Sequence, residues 1–188
     1  MATVVFVHGV GQTADAWREV IDALPPDARG EAVRLDLAAD DFSLASAATR
    51  IRQHMDRRGI DRAHLCGLSL GAMIAVMIAA ESPERVDRLI LSGGQVRPNR
   101  ALMTTQNALL RVLPARMASA PGLERADLLR VLRTVSTADL RPSLPLVRAT
   151  TLVLCGGKDR PNLPAARELA RGIPDAQLRI VPHVGHEW

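Results

Sequence analysis

Aromatic side chains are scarce in this chain of 188 residues, which has no tyrosine, two phenylalanines and two tryptophans. Proteins that hold single-stranded nucleic acids stack the bases on aromatic rings, and this composition offers few such platforms. The net charge of +4 comes from arginines scattered along the sequence, with Lys158 as the one lysine. Because the positive charge is not clustered, we expect no nucleic-acid partner.

Long apolar runs and cysteine motifs are missing as well. No apolar run reaches the roughly 18 residues that a membrane span needs, so we expect no membrane span. The N-terminus has no basic stretch ahead of an apolar one, which predicts no signal peptide and a cytoplasmic protein. Cys66 and Cys155 have no metal-type spacing and lie in apolar stretches, so both are expected to be buried free thiols.

The chain does contain a regular alternation of apolar strands with helices. Apolar runs predict six strands, at 3–8, 32–37, 63–67, 86–92, 150–155 and 177–181. Helical spacing predicts helices at 13–24, 43–58, 70–81 and 163–172. Strands that are apolar almost throughout are typical of parallel sheets covered on both faces. We therefore predict an α/β domain whose mostly parallel sheet has about six strands and helices on both faces.

Residues 97–147 interrupt this alternation. They contain no convincing strand, but show two amphipathic stretches at 101–113 and 123–135, which is too much chain for an ordinary connection. We predict a short helical lid at 97–147, inserted into a core formed by 1–96 and 148–188. Leu102, Met103 and Leu109 are expected to line an apolar substrate pocket, although they could equally pack the lid on the core.

The most specific motif is Gly67-Leu68-Ser69-Leu70-Gly71. A G-x-S-x-G pattern alone is common, but here it follows a predicted buried strand and opens a predicted helix. That placement is the one a nucleophile elbow requires, with a sharp turn that forces strained backbone angles on the serine. The motif predicts Ser69 as a nucleophile.

A serine hydroxyl needs a base, and the base needs an acid to orient it. His186 and Asp159 both follow predicted parallel strands, and the order serine, acid, histidine is that of the α/β-hydrolase motif. His183 is the alternative base, and we prefer His186 because Gly185 frees its loop. Asp175 and Glu187 are alternative acids. Asp175 precedes a predicted strand and so falls at the wrong end of the sheet, and Glu187 is adjacent to His186 and is expected to point away from it.

The segment His8-Gly9-Val10-Gly11 follows the first strand. Where a nucleophile elbow lies beside such a loop, one backbone N–H of the loop and that of the residue after the nucleophile form the oxyanion hole. We expect these donors to be Val10 and Leu70. His8 itself is expected to brace the loop. The sequence shows no phosphate-binding loop and no metal cluster, so we expect no cofactor and no metal.

These motifs, in this order, resemble the α/β-hydrolase superfamily, particularly its lidded, cofactor-free, esterase-like serine hydrolases. The resemblance implies Ser-His-Asp acyl-enzyme chemistry on a carboxylic ester or thioester, with a small-molecule acyl substrate as partner, and the apolar lid residues favour an apolar one. It also implies a final helix after His186, whereas the sequence ends at Trp188. Either the natural chain is longer, or a second copy covers the gap in a homodimer.

Two alternative functions stay open. A lyase resembling the hydroxynitrile lyases would carry a lysine beside the catalytic histidine, and here that residue is Glu187. A ligand-binding protein without catalysis would keep the same fold and the same motifs.

Overall fold

The computed structural model describes residues 1–98 and 123–188, and its centre is a six-stranded sheet. The strand order is β2-β1-β3-β4-β5-β6, and every neighbouring pair is parallel. The strands are β1 Ala2–Val7, β2 Ala28–Val33, β3 Ala63–Leu68, β4 Val86–Ser92, β5 Thr150–Gly156 and β6 Ala176–Val181. The predicted α/β class with a parallel sheet is confirmed.

Helices cover both faces of this sheet. The helices are α1 Arg18–Asp22, α2 Leu44–Arg57, α3 Leu70–Glu81, α4 Arg125–Ser136 and α5 Leu163–Gly172. Along β1 the side chains alternate, so Val5 and Val7 join the main core with α2 and α3. Val4 and Phe6 face the other side, where the ring of Trp17 lies 4.9 Å from that of Phe6.

Helix α3 lies at the centre of the main core. Nine of its residues are buried, which explains why its sequence is apolar on every side. Its predicted bounds, 70–81, are those observed. Because α3 begins where β3 ends, its burial fixes the position of the turn that joins them.

Two predicted elements have different bounds. The second strand was expected at 32–37, but β2 is Ala28–Val33, and Leu35 and Leu37 are buried in the loop beyond it. Burial, which gave these residues their apolar pattern, does not require sheet hydrogen bonds. The helix expected at 13–24 is a 3-10 turn, Ala14–Trp17, followed by the short α1.

The second stretch of the predicted lid is helix α4. Its residues Leu128, Val131, Leu132 and Val135 are buried in the main core. Leu102, Met103 and Leu109 lie outside the described residues, and so does the helix expected at 101–113. Across the ranges 1–98 and 123–188, no helix is both long and apolar enough to cross a bilayer.

Candidate active site

Ser69 occupies a strained turn between β3 and α3. Its backbone has φ 54° and ψ −112°, a conformation that non-glycine residues rarely adopt. Its N–H donates to the carbonyl of Ser92, at the end of β4, over 2.8 Å. A Cβ on Gly67 would lie 2.4 Å from the carbonyl oxygen of Gly71, and one on Gly71 would lie 2.0 Å from that of Val7. Gly67 is therefore required for the turn to close onto α3, and Gly71 is required for it to pack against β1.

The structure brings Asp159 and His186 together at the carboxyl ends of β5 and β6. Nδ1 of His186 lies 2.7 Å from Oδ2 of Asp159. Asp159 is 6% exposed, while the His186 side chain is about one-third exposed. A buried carboxylate that accepts from Nδ1–H leaves Nε2 of the imidazole free as a base.

The link between Ser69 and this pair runs through the end of β4. Ser92 accepts the hydrogen bond from the Ser69 N–H, and the next residue, Gly93, lies against the His186 ring. A Cβ on Gly93 would lie 2.7 Å from Cε1 of His186 and 3.7 Å from Oδ2 of Asp159. Two consecutive residues thus contact the proposed nucleophile and its proposed base.

The loop that carries His186 is fixed by the turn after β5. The N–H of Gly157 donates to the carbonyl of Val181, and that of Lys158 donates to the carbonyl of Val184. A Cβ on Gly156 would lie 2.0 Å from the carbonyl oxygen of Gly185. Gly185, by contrast, has open space around its Cβ position, so the glycine that the packing of this loop requires is Gly156.

The alternative acid and base residues lie elsewhere. His183 is exposed and has φ 65°. Asp175 lies at the amino ends of the strands, where its backbone carbonyl accepts from the N–H of Thr151. Glu187 is exposed. Among the described residues, none of these three side chains forms a hydrogen bond or ion pair with Asp159 or His186.

Asn162 is a neighbour of the pair that the sequence reasoning missed. Its Nδ2 lies 2.8 Å and 2.9 Å from the two carboxylate oxygens of Asp159, and 3.1 Å from Nδ1 of His186. Its Oδ1 accepts from Nε2 of Gln95. The local signal was an asparagine three residues after the acid, at the start of a predicted helix.

The loop after β1 is braced by the side chain of His8, which is 2% exposed. Its Nδ1–H donates to the Gly9 carbonyl over 2.8 Å, and its Nε2 accepts from the N–H of Leu35 over 3.1 Å. Burial lowers the pKa of His8. A ring that donates at one nitrogen and accepts at the other is the neutral imidazole. With both nitrogens occupied, His8 has the bracing position expected for it.

The two expected oxyanion donors lie near Ser69. The Cβ position of Gly9 is 3.3 Å from Cβ of Ser69, so the loop that carries Val10 passes directly beside the serine. Within 1–98 and 123–188, the N–H groups of Val10 and Leu70 have no acceptor. The side chain of Gln12 accepts from the Gly9 N–H over 3.1 Å and holds the loop in this shape.

A pocket of about 300 Å³ opens beside this loop. Its walls include Gln12, Arg34, Asp36 and Leu123, a mixture of polar and apolar groups. In the part of the chain that the structure describes, no group of three or more His, Cys, Asp or Glu side chains could hold a metal ion. Cys66 and Cys155 are buried free thiols, as expected, and burial raises the pKa of Cys66 to about 12.

Comparison with known proteins gives the same fold. The model of the "Alpha/beta hydrolase family" matches residues 4–188. "Putative carbamate hydrolase RutD" from Shigella flexneri is 26% identical, over 97% of this chain and 84% of that protein. A hydrolase from Pseudomonas aeruginosa PA01 superposes with a TM-score of 0.85 at 20% identity, covering 98% of this chain and 83% of that one. The enol-lactonase from Burkholderia xenovorans LB400 gives 0.84 at 19% identity, covering 96% and 82%.

Proposed function

The chain belongs to the alpha/beta hydrolase family, and from this premise we propose that it is a serine hydrolase that acts on carboxylic esters or thioesters. Membership supports a hydrolase in general. The finer proposal rests on one observation: Ser69 stands at a strained turn whose neighbouring residues, Ser92 and Gly93, contact Ser69 and His186 in succession.

In the proposed reaction Ser69 Oγ attacks the substrate carbonyl while Nε2 of His186 takes its proton. Asp159 keeps the imidazole in the required tautomer and stabilises the imidazolium that forms. The N–H groups of Val10 and Leu70 stabilise the oxyanion, a donor of this kind contributing roughly 3 kcal/mol. His186 then protonates the leaving group, and water, deprotonated by the same imidazole, releases the acyl group from Ser69.

The relatives' names support a substrate whose carbonyl carbon carries a leaving group. One relative is named for a carbamate and one for an enol-lactone, and both groups place an oxygen or nitrogen leaving group on a carbonyl carbon. We propose a small-molecule acyl substrate; a pocket of about 300 Å³, lined in part by His8 and Gln12, borders the loop that carries Val10.

The test is hydrolysis of a panel of p-nitrophenyl esters with short and long acyl chains, together with acyl thioesters and an aryl carbamate. We expect turnover of at least one class by the natural protein and its loss in Ser69→Ala. Tight ligand binding without turnover of any member would contradict the proposal and favour a binding protein. Turnover retained in Ser69→Ala would contradict the assigned nucleophile.

A further inference from the structure

Asn162 stands at the N-cap position of helix α5, but it does not cap that helix. Asparagine is common at this position because its side-chain oxygen accepts a hydrogen bond from the first helical turn. Here the side chain makes no such bond. The amide nitrogen faces Asp159 and the amide oxygen faces Gln95, so these two residues determine the side-chain conformation of Asn162.

The amide nitrogen of Asn162 lies against the carboxylate of Asp159. It is within hydrogen-bond distance of both oxygens, Oδ1 at 2.8 Å and Oδ2 at 2.9 Å, while Oδ2 also accepts from Nδ1–H of His186 at 2.7 Å. A carboxylate held by one bond can rotate about its Cβ–Cγ bond. A donor that bridges the two oxygens opposes that rotation and keeps Oδ2 directed at the imidazole.

The amide oxygen of Asn162 accepts from Nε2 of Gln95. The ionised carboxylate of Asp159 only accepts hydrogen bonds, so the amide nitrogen must face it, and the amide oxygen is left to accept from Gln95. If the amide were flipped, its oxygen would face the Asp159 carboxylate and its nitrogen would face the Gln95 nitrogen, two pairings that lack a hydrogen bond. Gln95 comes two residues after Gly93, which contacts the His186 ring, so the segment after β4 supports both members of the pair.

We infer that Asn162 is a positioning residue for the Asp159–His186 pair and that Gln95 orients its amide. The inference deepens the proposed function and rests on it for its kinetic readouts. Asn162 acts through Asp159, so its loss should reduce turnover far more than substrate binding. Asn162 caps no helix N–H, so its loss should leave α5 folded, and stability should fall only modestly because the buried Asp159 carboxylate loses a donor but keeps His186.

The first experiment compares Asn162→Leu, which keeps similar volume but has no donor, with the natural protein. With the most active p-nitrophenyl ester as probe, we expect kcat to fall about tenfold, the usual effect of losing a bond to a charged group, with KM within about twofold. Arg160→Ala, an exposed residue of the same turn, is the matched control and should retain kcat. A large rise in KM together with the fall in kcat, or a large loss of stability, would indicate a structural role and overturn the inference.

The second experiment tests the role of Gln95 with a double-mutant cycle. Gln95→Leu should lower kcat about threefold, and Gln95→Glu should lower it further because the introduced carboxylate favours the flipped amide. Neither change should reduce kcat further when combined with Asn162→Leu. Fully additive effects would overturn the role given to Gln95.

A third readout does not depend on substrate. An imidazole N–H bonded to a carboxylate gives a proton NMR signal at very low field, here from Nδ1–H of His186. We expect this signal in the natural protein and in Arg160→Ala, and its broadening or loss in Asn162→Leu. An unchanged signal in Asn162→Leu would overturn the inference, whereas an inactive natural protein that shows the expected changes would contradict only the proposed function.

Discussion

Replacing Ser69 with glycine should give a more stable protein than replacing it with alanine, although both changes remove the proposed nucleophile. At φ 54° and ψ −112° any residue with a Cβ is strained, and the structure tolerates that strain because β3, α3 and β1 fix the turn. Alanine retains the Cβ and hence the strain. Glycine releases it.

The size of the effect follows from three terms. A residue in a sparsely populated backbone region costs about 1–3 kcal/mol. Two effects oppose this relief. Glycine makes the unfolded chain more flexible, which lowers the unfolding free energy by about 0.4–1 kcal/mol. Glycine also removes a half-buried Cβ, which lowers it by a few tenths of a kcal/mol. The net difference in unfolding free energy should therefore be about 1 kcal/mol in favour of glycine, or about 3 °C in Tm for a chain of this length.

Thermal and urea denaturation of Ser69→Gly and Ser69→Ala measure this difference directly. The matched control is Ser82 at the other end of α3, where φ is −139° and no relief is available. There the glycine variant should be less stable than the alanine variant. If Ser69→Gly is as stable as Ser69→Ala or less so, the elbow stores no strain and this part of the reasoning is refuted.

Three further predictions concern the same site. In Gly93→Ala the new Cβ would lie 2.7 Å from the His186 ring, and the backbone at this position has φ 57°. The displaced imidazole should slow fluorophosphonate labelling of Ser69 by more than about tenfold while the protein stays folded. An unchanged labelling rate would refute the position given to Gly93 against His186. Gly156→Ala should lower both Tm and activity, whereas Gly185→Ala, with open space around its Cβ position, should change neither; equal effects would contradict the contacts described. His8 has a pKa below 6.5 when folded, so the unfolded state binds its proton first and stability should fall as pH drops below about 6.5. Denaturation between pH 8 and pH 5 should show this slope, and His8→Gln should lack that part of it.

Much of the site could be predicted because it depends on strand ends. The parallel strands were recognisable from their apolar runs, and residues that follow such strands meet at one edge of the sheet. This was enough to bring Ser69, Asp159 and His186 to the same region. Helix α3 was predicted with its observed bounds because a helix buried on all sides is apolar throughout.

The errors have a common physical cause. Leu35 and Leu37 are apolar because a loop buries them, and sequence periodicity does not distinguish that burial from a strand. Asn162 and Gln95 meet across 67 positions of sequence, and no local pattern encodes such a contact. Likewise, the glycine that admits the His186 loop is Gly156 on a neighbouring strand, which only the register of the sheet reveals.

Mass-spectrometric mapping of a fluorophosphonate adduct tests the central claim most directly, because it needs no knowledge of the substrate. The account predicts one adduct per chain, on Ser69, absent in Ser69→Ala and formed much more slowly in His186→Ala. An adduct on another residue, labelling that survives in Ser69→Ala, or a rate unaffected by His186→Ala would contradict it.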